Sequence, residues 1–326
     1  MKHPALYILL SLWLVLPTGF LGAQPVKLAF YNTENLADTI ANTPSGDDDF
    51  TPTGRFSWNG GRYNTKIANI ARVIDDLGAD IVGLCEVENE AVLRDLMLAA
   101  KSSYNYIHRD TRDSRGMDVA LLYRGSVFSP EEVRQEGGYS IPREFLVVKG
   151  RLLGESVVIV VCHMPSLGNN GSYRNNAARR LGELIAGLLR EEPSSTVILM
   201  GDFNTAPDSH MARKLIGIAP VADKKGEARP EPARMVTPFT DLSRRGYGTY
   251  VYRDKRFVYD FIAVSSGVLA DGAVRFAGDY GIFVREYMMQ SSGGRQGYPL
   301  RSFESVKYTG GYSDHLPVFM TLTVSP

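Results

Sequence analysis

Cysteine is scarce in this chain, and neither sign of charge is in excess. Only 2 Cys occur in 326 residues, and Lys+Arg and Asp+Glu both total 36. The first fact excludes a disulfide-dense miniature scaffold and, with no paired Cys spacing, a thiolate metal site. The second excludes a global basic field that would declare a nucleic-acid partner by itself, so phosphate recognition has to come from local positive potential. Internal repeats, a Ser/Pro-rich linker and an acidic tail are also missing. What remains, 44% hydrophobic and 22% charged residues with 32 Gly and 17 Pro, describes a globular chain long enough to bury a substantial core.

Lys2 and His3 precede an apolar run from Ala5 to Leu16, which Pro17 and Gly19 break before Leu21-Gly22-Ala23. This reads as a secretory signal peptide over residues 1–23, leaving residues 24–326 as one domain, exported to a periplasm or secreted. The run is too short for a spanning helix, which needs ~20 apolar residues. Cys85 and Cys162 each sit in a β-rich apolar run, so two buried thiols in neighbouring strands are expected rather than a bridge.

From Val26 onward, short β-branched and aromatic runs alternate with amphipathic stretches. Strands are expected at Val26–Tyr31, Ile81–Glu86, Val119–Tyr123, Glu144–Val148, Val157–Cys162, Thr196–Met200, Phe257–Val264 and Val318–Val324. Helices are expected at Thr65–Leu77, Ala91–Ala99, Arg174–Arg190 and His210–Ile216, the third carrying Leu181, Leu184, Ile185, Leu188 and Leu189 as its core-facing stripe. The segments Ala37–Arg62 and Tyr280–Lys307 are irregular excursions, and long loops in compact domains are often functional. Some strands are apolar on both faces and others alternate, without a strict βαβ rhythm. That pattern predicts an α/β sandwich of two packed sheets clad by helices.

Polar side chains gather where the apolar strands end. Asn32 follows Leu28–Tyr31, Glu86 follows Gly83-Leu84-Cys85, His163 follows Val160-Val161-Cys162, and Asp202 and Asn204 follow Ile198-Leu199-Met200. Asp260 interrupts Val258-Tyr259, and Ser313-Asp314-His315 precedes Leu316-Pro317-Val318. A carboxylate after one strand is usually a solvated turn residue, but six such positions on one rim would suit a hard divalent cation such as Mg²⁺ or Mn²⁺.

The words Tyr31-Asn32-Thr33-Glu34-Asn35, Leu84-Cys85-Glu86-Val87, Cys162-His163-Met164-Pro165-Ser166, Met200-Gly201-Asp202-Phe203-Asn204, Tyr259-Asp260-Phe261-Ile262 and Ser313-Asp314-His315-Leu316-Pro317-Val318 resemble, in order, the motifs of the endonuclease/exonuclease/phosphatase superfamily, the group of deoxyribonuclease I and exonuclease III. Gly-Asp-Phe-Asn with a late Ser-Asp-His is the most specific pair. The resemblance implies a four-layered α/β sandwich, two mixed sheets flanked by helices, and metal-dependent hydrolysis of phosphate esters, with Ca²⁺ as an additional structural ion in some settings.

Attack by water on a phosphate ester needs charge neutralisation at the phosphoryl oxygens, a base for the water and help for the leaving oxygen. Glu86, with Asn32 and Asp314, would hold the metal. His315 would be the general base or contact the phosphate, oriented by Asp260. His163 would donate to the leaving oxygen or the phosphoryl group from an unperturbed pKa near working pH, with Asp118 as its partner. Asp202 would orient the water or touch a second metal, and Asn204 would donate to non-bridging oxygens. Arg143 sits where the resemblance places a phosphate-contacting arginine; the alternative is a surface pair with Glu144. Arg55, Arg62, Arg109, Arg112 and Arg115 lie in loops and would supply local positive potential.

The expected substrate is nucleic acid, cleaved by a monomer without an obligate protein partner, with a small or lipid phosphate ester as the alternative. Glu88 follows Glu86 where the resemblance leads to an arginine, and would repel a phosphate backbone. Neither long excursion has an obvious apolar tip for a membrane-acting enzyme; Ile282-Phe283, Tyr287 and Met288-Met289 keep that alternative open.

Overall fold

The computed structural model describes residues 22–41, 48–138, 141–221 and 235–325. The expected leader lies almost wholly outside the described residues, and no described helix is long and apolar enough to cross a membrane. In chain order the elements begin with β1 (Gln24–Leu36), α1 (Gly60–Leu77), β2 (Ile81–Val87), α2 (Glu90–Ala99), β3 (Asn105–His108), β4 (Asp118–Tyr123), β5 (Phe128–Glu136), β6 (Phe145–Leu152), β7 (Glu155–His163), α3 (Gly171–Glu191) and β8 (Thr196–Asp202). They continue with β9 (Ile218–Pro220), β10 (Met235–Thr237), α4 (Phe239–Arg244), β11 (Tyr250–Tyr252), β12 (Lys255–Phe257), β13 (Asp260–Ser265), β14 (Val274–Ile282), β15 (Phe303–Glu304), β16 (Lys307–Tyr308) and β17 (Val318–Val324).

The strands form a six-stranded sheet in the order β14-β17-β1-β2-β4-β3 and a seven-stranded sheet in the order β5-β6-β7-β8-β13-β10-β9. Both are mixed: β1 runs parallel to β2 and β7 parallel to β8, while β17 and β13 run antiparallel to their neighbours. The main core lies between the sheets, where Leu28, Phe30, Cys85 and Met320 of one meet Val160, Cys162, Met200 and Phe261 of the other. A second core lies under α1 and α2, built on Ile70, Ile74, Leu93 and Leu96 against Val82, Leu84 and Leu122. On the far side, α3 lays Ala177, Ala178, Leu181, Ile185 and Leu188 on the seven-stranded sheet. The result is the expected four-layered α/β sandwich.

The helices start earlier than apolar periodicity indicates because asparagines cap them. Asn59 accepts from the Arg62 N–H, so α1 begins at Gly60 rather than Thr65, and Asn170 accepts from the Tyr173 N–H at the start of α3. Of the expected α3 stripe, Leu184 and Leu189 are only partly buried. The segment expected as a helix at His210–Ile216 is a six-residue π-helix, Met211–Ile216. Edge strands β5 and β14 are half-exposed and polar, so pairing with β6 and β17 defines them rather than their own sequence pattern. The cysteines are free and buried, but they sit on β2 and β7 in the two facing sheets rather than on neighbouring strands.

Candidate active site

Strand register assembles the site. Across β7 and β8, His163 is paired with Asp202, and across β8 and β13, Asp202 is paired with Asp260, so three polar residues stand in a row at one end of the seven-stranded sheet. In the facing sheet Asn32 pairs with Cys85, one residue before Glu86, and Phe30 pairs with Val318, three residues after His315. Parallel strands end at the same edge, and an antiparallel neighbour begins there, so all six motifs reach one rim.

Irregular backbone aims the side chains. The pairing of β2 with β4 shifts register between Cys85 and Val87, and Glu86 sits in that bulge with φ 61. A bulge reverses the local side-chain alternation, which turns Glu86 into the cleft. Glu34, Asn35 and Asn204 also have positive φ, so four of the nine described non-glycine residues in that region line this cleft. Strained backbone of this kind collects at functional sites.

The cleft has a volume of about 940 Å³, with Glu86, His163, Asp202, Asn204, Asp314 and His315 among its lining residues. Asn32 Nδ2 donates to Asp202 Oδ2 at 3.1 Å and to Glu86 Oε1 at 3.3 Å, and the Asn35 N–H donates to Glu86 Oε2 at 2.9 Å. Asn32 Oδ1 accepts the Glu34 N–H at 3.0 Å; an amide oxygen has two lone pairs, so Asn32 keeps acceptor capacity. Burial alone would raise the Glu86 pKa, but the facing His163, Arg115, Arg143 and His315 hold it at about 2.

His315 and Asp260 form a buried pair, Nδ1 to Oδ2, at 2.7 Å. The other ring nitrogen of His315 lies 3.9 Å from Asp202 Oδ2. Burial would lower His315, yet the Asp260 and Asp202 carboxylates hold it well above the usual imidazole range. Burial, reinforced by Asp260, pushes Asp202 up to about 7. Asp202 Oδ1 accepts the Asn204 N–H at 2.9 Å, and Asn204 Nδ2 donates to the Met164 carbonyl at 3.0 Å.

His163 differs from the expectation. Arg143 Nη1 donates to its Nε2 at 3.0 Å, which leaves the ring proton on Nδ1, an atom without a hydrogen-bond partner among the described residues. Burial and the adjacent Arg143 push the imidazole down to about 3, far from the unperturbed value. Asp118 is not its partner. Asp118 Oδ2 is 3.1 Å from His108 Nε2 and its Oδ1 accepts from Thr111, because β4 carries it toward the β3 side of the sheet. His108, Asp110 and Asp118 cluster there, with Asp110 exposed.

Arg143 pairs with Asp113 at 2.7 Å rather than with Glu144, which takes Arg112 at 2.7 Å instead. Arg112, Arg115 and Arg143 all line the cleft, whereas Arg55, Arg62 and Arg109 do not. Glu88 is buried and accepts the Asp38 N–H, so it faces away from the cleft and the expected repulsion does not arise there. Asp314 lines the cleft while Arg301 holds it at 3.0 Å; the same guanidinium grips Glu34 at 3.1 Å, with buried Lys66 behind at 3.8 Å from Glu34. Neither Arg301 nor Lys66 carries a local sequence signal.

Aromatic rings were also illegible in the sequence. Tyr250, Tyr252, Phe257 and Tyr259 line the cleft on the His315 side: Tyr250 lies 4.8 Å from the His315 ring, and Tyr259 stacks on Phe257 and Tyr250 at 5.1 and 5.7 Å. They come from β11, β12 and the turn before Asp260, short elements that only pairing defines.

Asp202, Asp260 and His315 offer ligand atoms within 4.8 Å of one another, and the strongly acidic Glu86 is tied to Asp202 through Asn32, a donor set that fits a divalent cation. The match of residues 27–324 to the endonuclease/exonuclease/phosphatase family model is therefore consistent with the geometry, and the chain belongs to that family. Its members are metal-dependent phosphoester hydrolases, so this protein is a hydrolase of phosphate esters that uses divalent metal.

No curated protein matches the chain. Among solved structures it is similar to D. rerio TDP2 complexed with a single-strand DNA product, at 15% identity and TM-score 0.57, covering 91% of this chain and 98% of that one. It is also similar to an endonuclease/exonuclease/phosphatase family protein of Bacteroides thetaiotaomicron, at 19% identity and TM-score 0.56, covering 93% and 99%. A mannosyl-6-phosphatase of the same organism gives 19% identity and TM-score 0.52, covering 91% and 99%. At these identities the likeness concerns the fold.

Proposed function

We propose that the protein is an exported phosphodiesterase, dependent on Mg²⁺ or Mn²⁺, that cleaves single-stranded nucleic acid. The observation that carries this reading is the asymmetry of the cleft. Along the row His163, Asp202, Asp260, the Arg143 side carries three guanidiniums and the His315 side carries stacked tyrosines. Guanidiniums engage phosphates bidentately, and aromatic faces stack unpaired bases. A duplex hides its base faces; a single strand offers them.

Glu86, Asn32 and Asp314 would hold the cation, which supplies charge neutralisation at the phosphoryl oxygens. His315, with Nδ1 committed to Asp260, presents its other nitrogen to the phosphoryl group. Asp202, facing both imidazoles at 3.8 and 3.9 Å, orients the attacking water. Arg143, fixed by Asp113 and sharing His163, engages the phosphate from the opposite side, and Asn204 donates to a non-bridging oxygen. The TDP2 relative complexed with single-strand DNA product supports this substrate class.

A second reading, hydrolysis of a small phosphate ester, is favoured by the neutral overall charge and by the mannosyl-6-phosphatase likeness. The lipid variant has less support: Phe283 and Met288 are buried in the second core, and Ile282, Tyr287 and Met289 pack against it. The deciding experiment offers purified mature protein single-stranded DNA, RNA, plasmid, sphingomyelin and sugar phosphates in parallel, with Mg²⁺ or Mn²⁺. Turnover of single strands that EDTA stops and metal restores is the expected result; turnover confined to sugar phosphates overturns the nuclease reading.

A further inference from the structure

Beside the cleft lies a smaller recess of about 220 Å³ lined by Phe50, Phe56, Trp58, Phe303, Arg301 and Ser302. It shares Glu34 and Asn35 with the main cleft, and the Asn35 N–H rests on Glu86 Oε2, so the two spaces are contiguous at the Glu86 side. The rings pack against one another and present their outer faces to the recess: Phe50 is 4.9 Å from Phe56, Phe56 is 4.6 Å from Phe303, and Trp58 stands 5.8 Å from Phe303 and 6.0 Å from Phe50. Both long excursions build it, one supplying Phe50 to Trp58 and the other Arg301 to Phe303.

The cluster has a rigid back and an open front. Trp58 is 1% exposed and its Nε1 donates to the Ala37 carbonyl, while Phe303 is 7% exposed. Phe50 and Phe56, by contrast, keep part of their faces in solvent. Arg301 is locked in place by Glu34 and Asp314, so a polar edge is fixed at the inner end. At about 220 Å³ the recess falls below the roughly 300–1,000 Å³ of a free-standing ligand pocket, which makes it an annex of the cleft rather than a separate site.

We propose that this recess is a second base-binding subsite, taking one nucleobase of the strand beyond the Glu34–Asn35 rim of the cleft while the tyrosine wall takes another. The inference rests on the nucleic-acid reading above. Its occupant is a planar, partly polar ring, since the exposed faces of Phe50 and Phe56 offer stacking and the partly exposed Arg301 guanidinium offers a hydrogen-bonding edge. A strand lying across the floor would then be held by rings at two places, which fixes its register over the reacting phosphate.

The test is an abasic scan of a short single-stranded oligonucleotide, in Mg²⁺ or Mn²⁺, with wild type, Phe56→Ala, Phe56→Tyr and Phe50→Ala. In wild type, deleting the base that fills the recess should lower kcat/KM by about 5- to 150-fold, the range of one lost stacking contact. Phe56→Ala should impose a similar loss on the intact strand and almost none on the abasic one, and Phe56→Tyr should restore it. Urea midpoints check folding, and Phe50→Ala repeats the comparison should Phe56→Ala unfold. Equal losses on intact and abasic strands, or none with either variant, overturn the subsite. Absence of cleavage of any strand by wild type overturns instead the nucleic-acid reading on which it rests.

Discussion

Gly201, in the Gly-Asp-Phe-Asn word, is where the packing makes its sharpest demand. It pairs with Cys162 on β7 and with Phe261 on β13. A Cβ built there would lie 2.4 Å from both the Cys162 carbonyl oxygen and its Sγ, and 3.1 Å from the Cys162 carbonyl carbon. Two of those three atoms are backbone, so no rotamer change relieves them and β7 must move off β8. Gly83 is the natural control, because its Cβ would meet Met200 Sδ at 2.6 Å, Met200 Cγ at 3.0 Å and Phe30 Cδ2 at 3.1 Å, all side-chain atoms, with a flexible Met nearest.

Overpacking a core costs about 1–3 kcal/mol, offset by the ~0.4–1 kcal/mol that Gly→Ala gains through the unfolded chain. Gly201→Ala should therefore lose about 2 kcal/mol, and Gly83→Ala about 1 kcal/mol or less. Urea denaturation reads this as a fall in midpoint near 1 M for Gly201→Ala, for a slope of ~2–3 kcal/mol/M. The adjacent pair His163 and Asp202 shifts with the strands, and since misplacement by ~1 Å costs ~10²-fold, kcat should drop by about that factor. Cys162→Ala removes only the sulfur contact, so it should rescue Gly201→Ala in part. A Gly201→Ala protein with unchanged midpoint and turnover, or a Gly83→Ala protein that is the less stable of the two, would mean that the close approach of β7 and β8 does not set the cost.

Asp260→Asn keeps an acceptor for His315 Nδ1 but removes the charge that supports the imidazolium; kcat on a phosphodiester should fall about 10²–10⁴-fold, and a variant within threefold of wild type counts against the pair. Arg143→Lys keeps the charge yet cannot reach Asp113 and His163 together, so kcat/KM should fall about 10- to 150-fold with little rescue over Arg143→Met; full activity in the lysine variant would mean that only charge matters. In metal-free protein, His163 should stay neutral down to about pH 4 by NMR, given a folded value near 3. Since an unfolded His titrates near ~6.5, the unfolded state binds more protons below that pH. The His163 contribution, complete above pH 6.5, should be lost as pH falls toward 3, and His163→Gln should flatten this part of the stability curve.

Apolar runs bounded by Asn32, Glu86, His163, Asp202 and His315 were visible along the chain because a buried strand is a local pattern: burial on both faces forces uninterrupted apolar residues, and the polar residue next to the run marks the rim. Sequence alone therefore settled the sandwich, its central strands and the family. Edge strands β5 and β14, the tyrosine wall and the aromatic recess were decided only by tertiary structure, since short or half-exposed segments acquire their conformation from partners far away in the chain. The same holds for who holds whom. Asp118 goes to His108 rather than His163, Arg143 to Asp113 rather than Glu144, and Asp314 to Arg301, because an ion pair depends on where sheet register and loop paths bring two charges, and nothing local in the chain encodes that distance. Glu86 joins the cleft through a bulge, one residue's departure from strand alternation that only the pairing of β2 with β4 reveals.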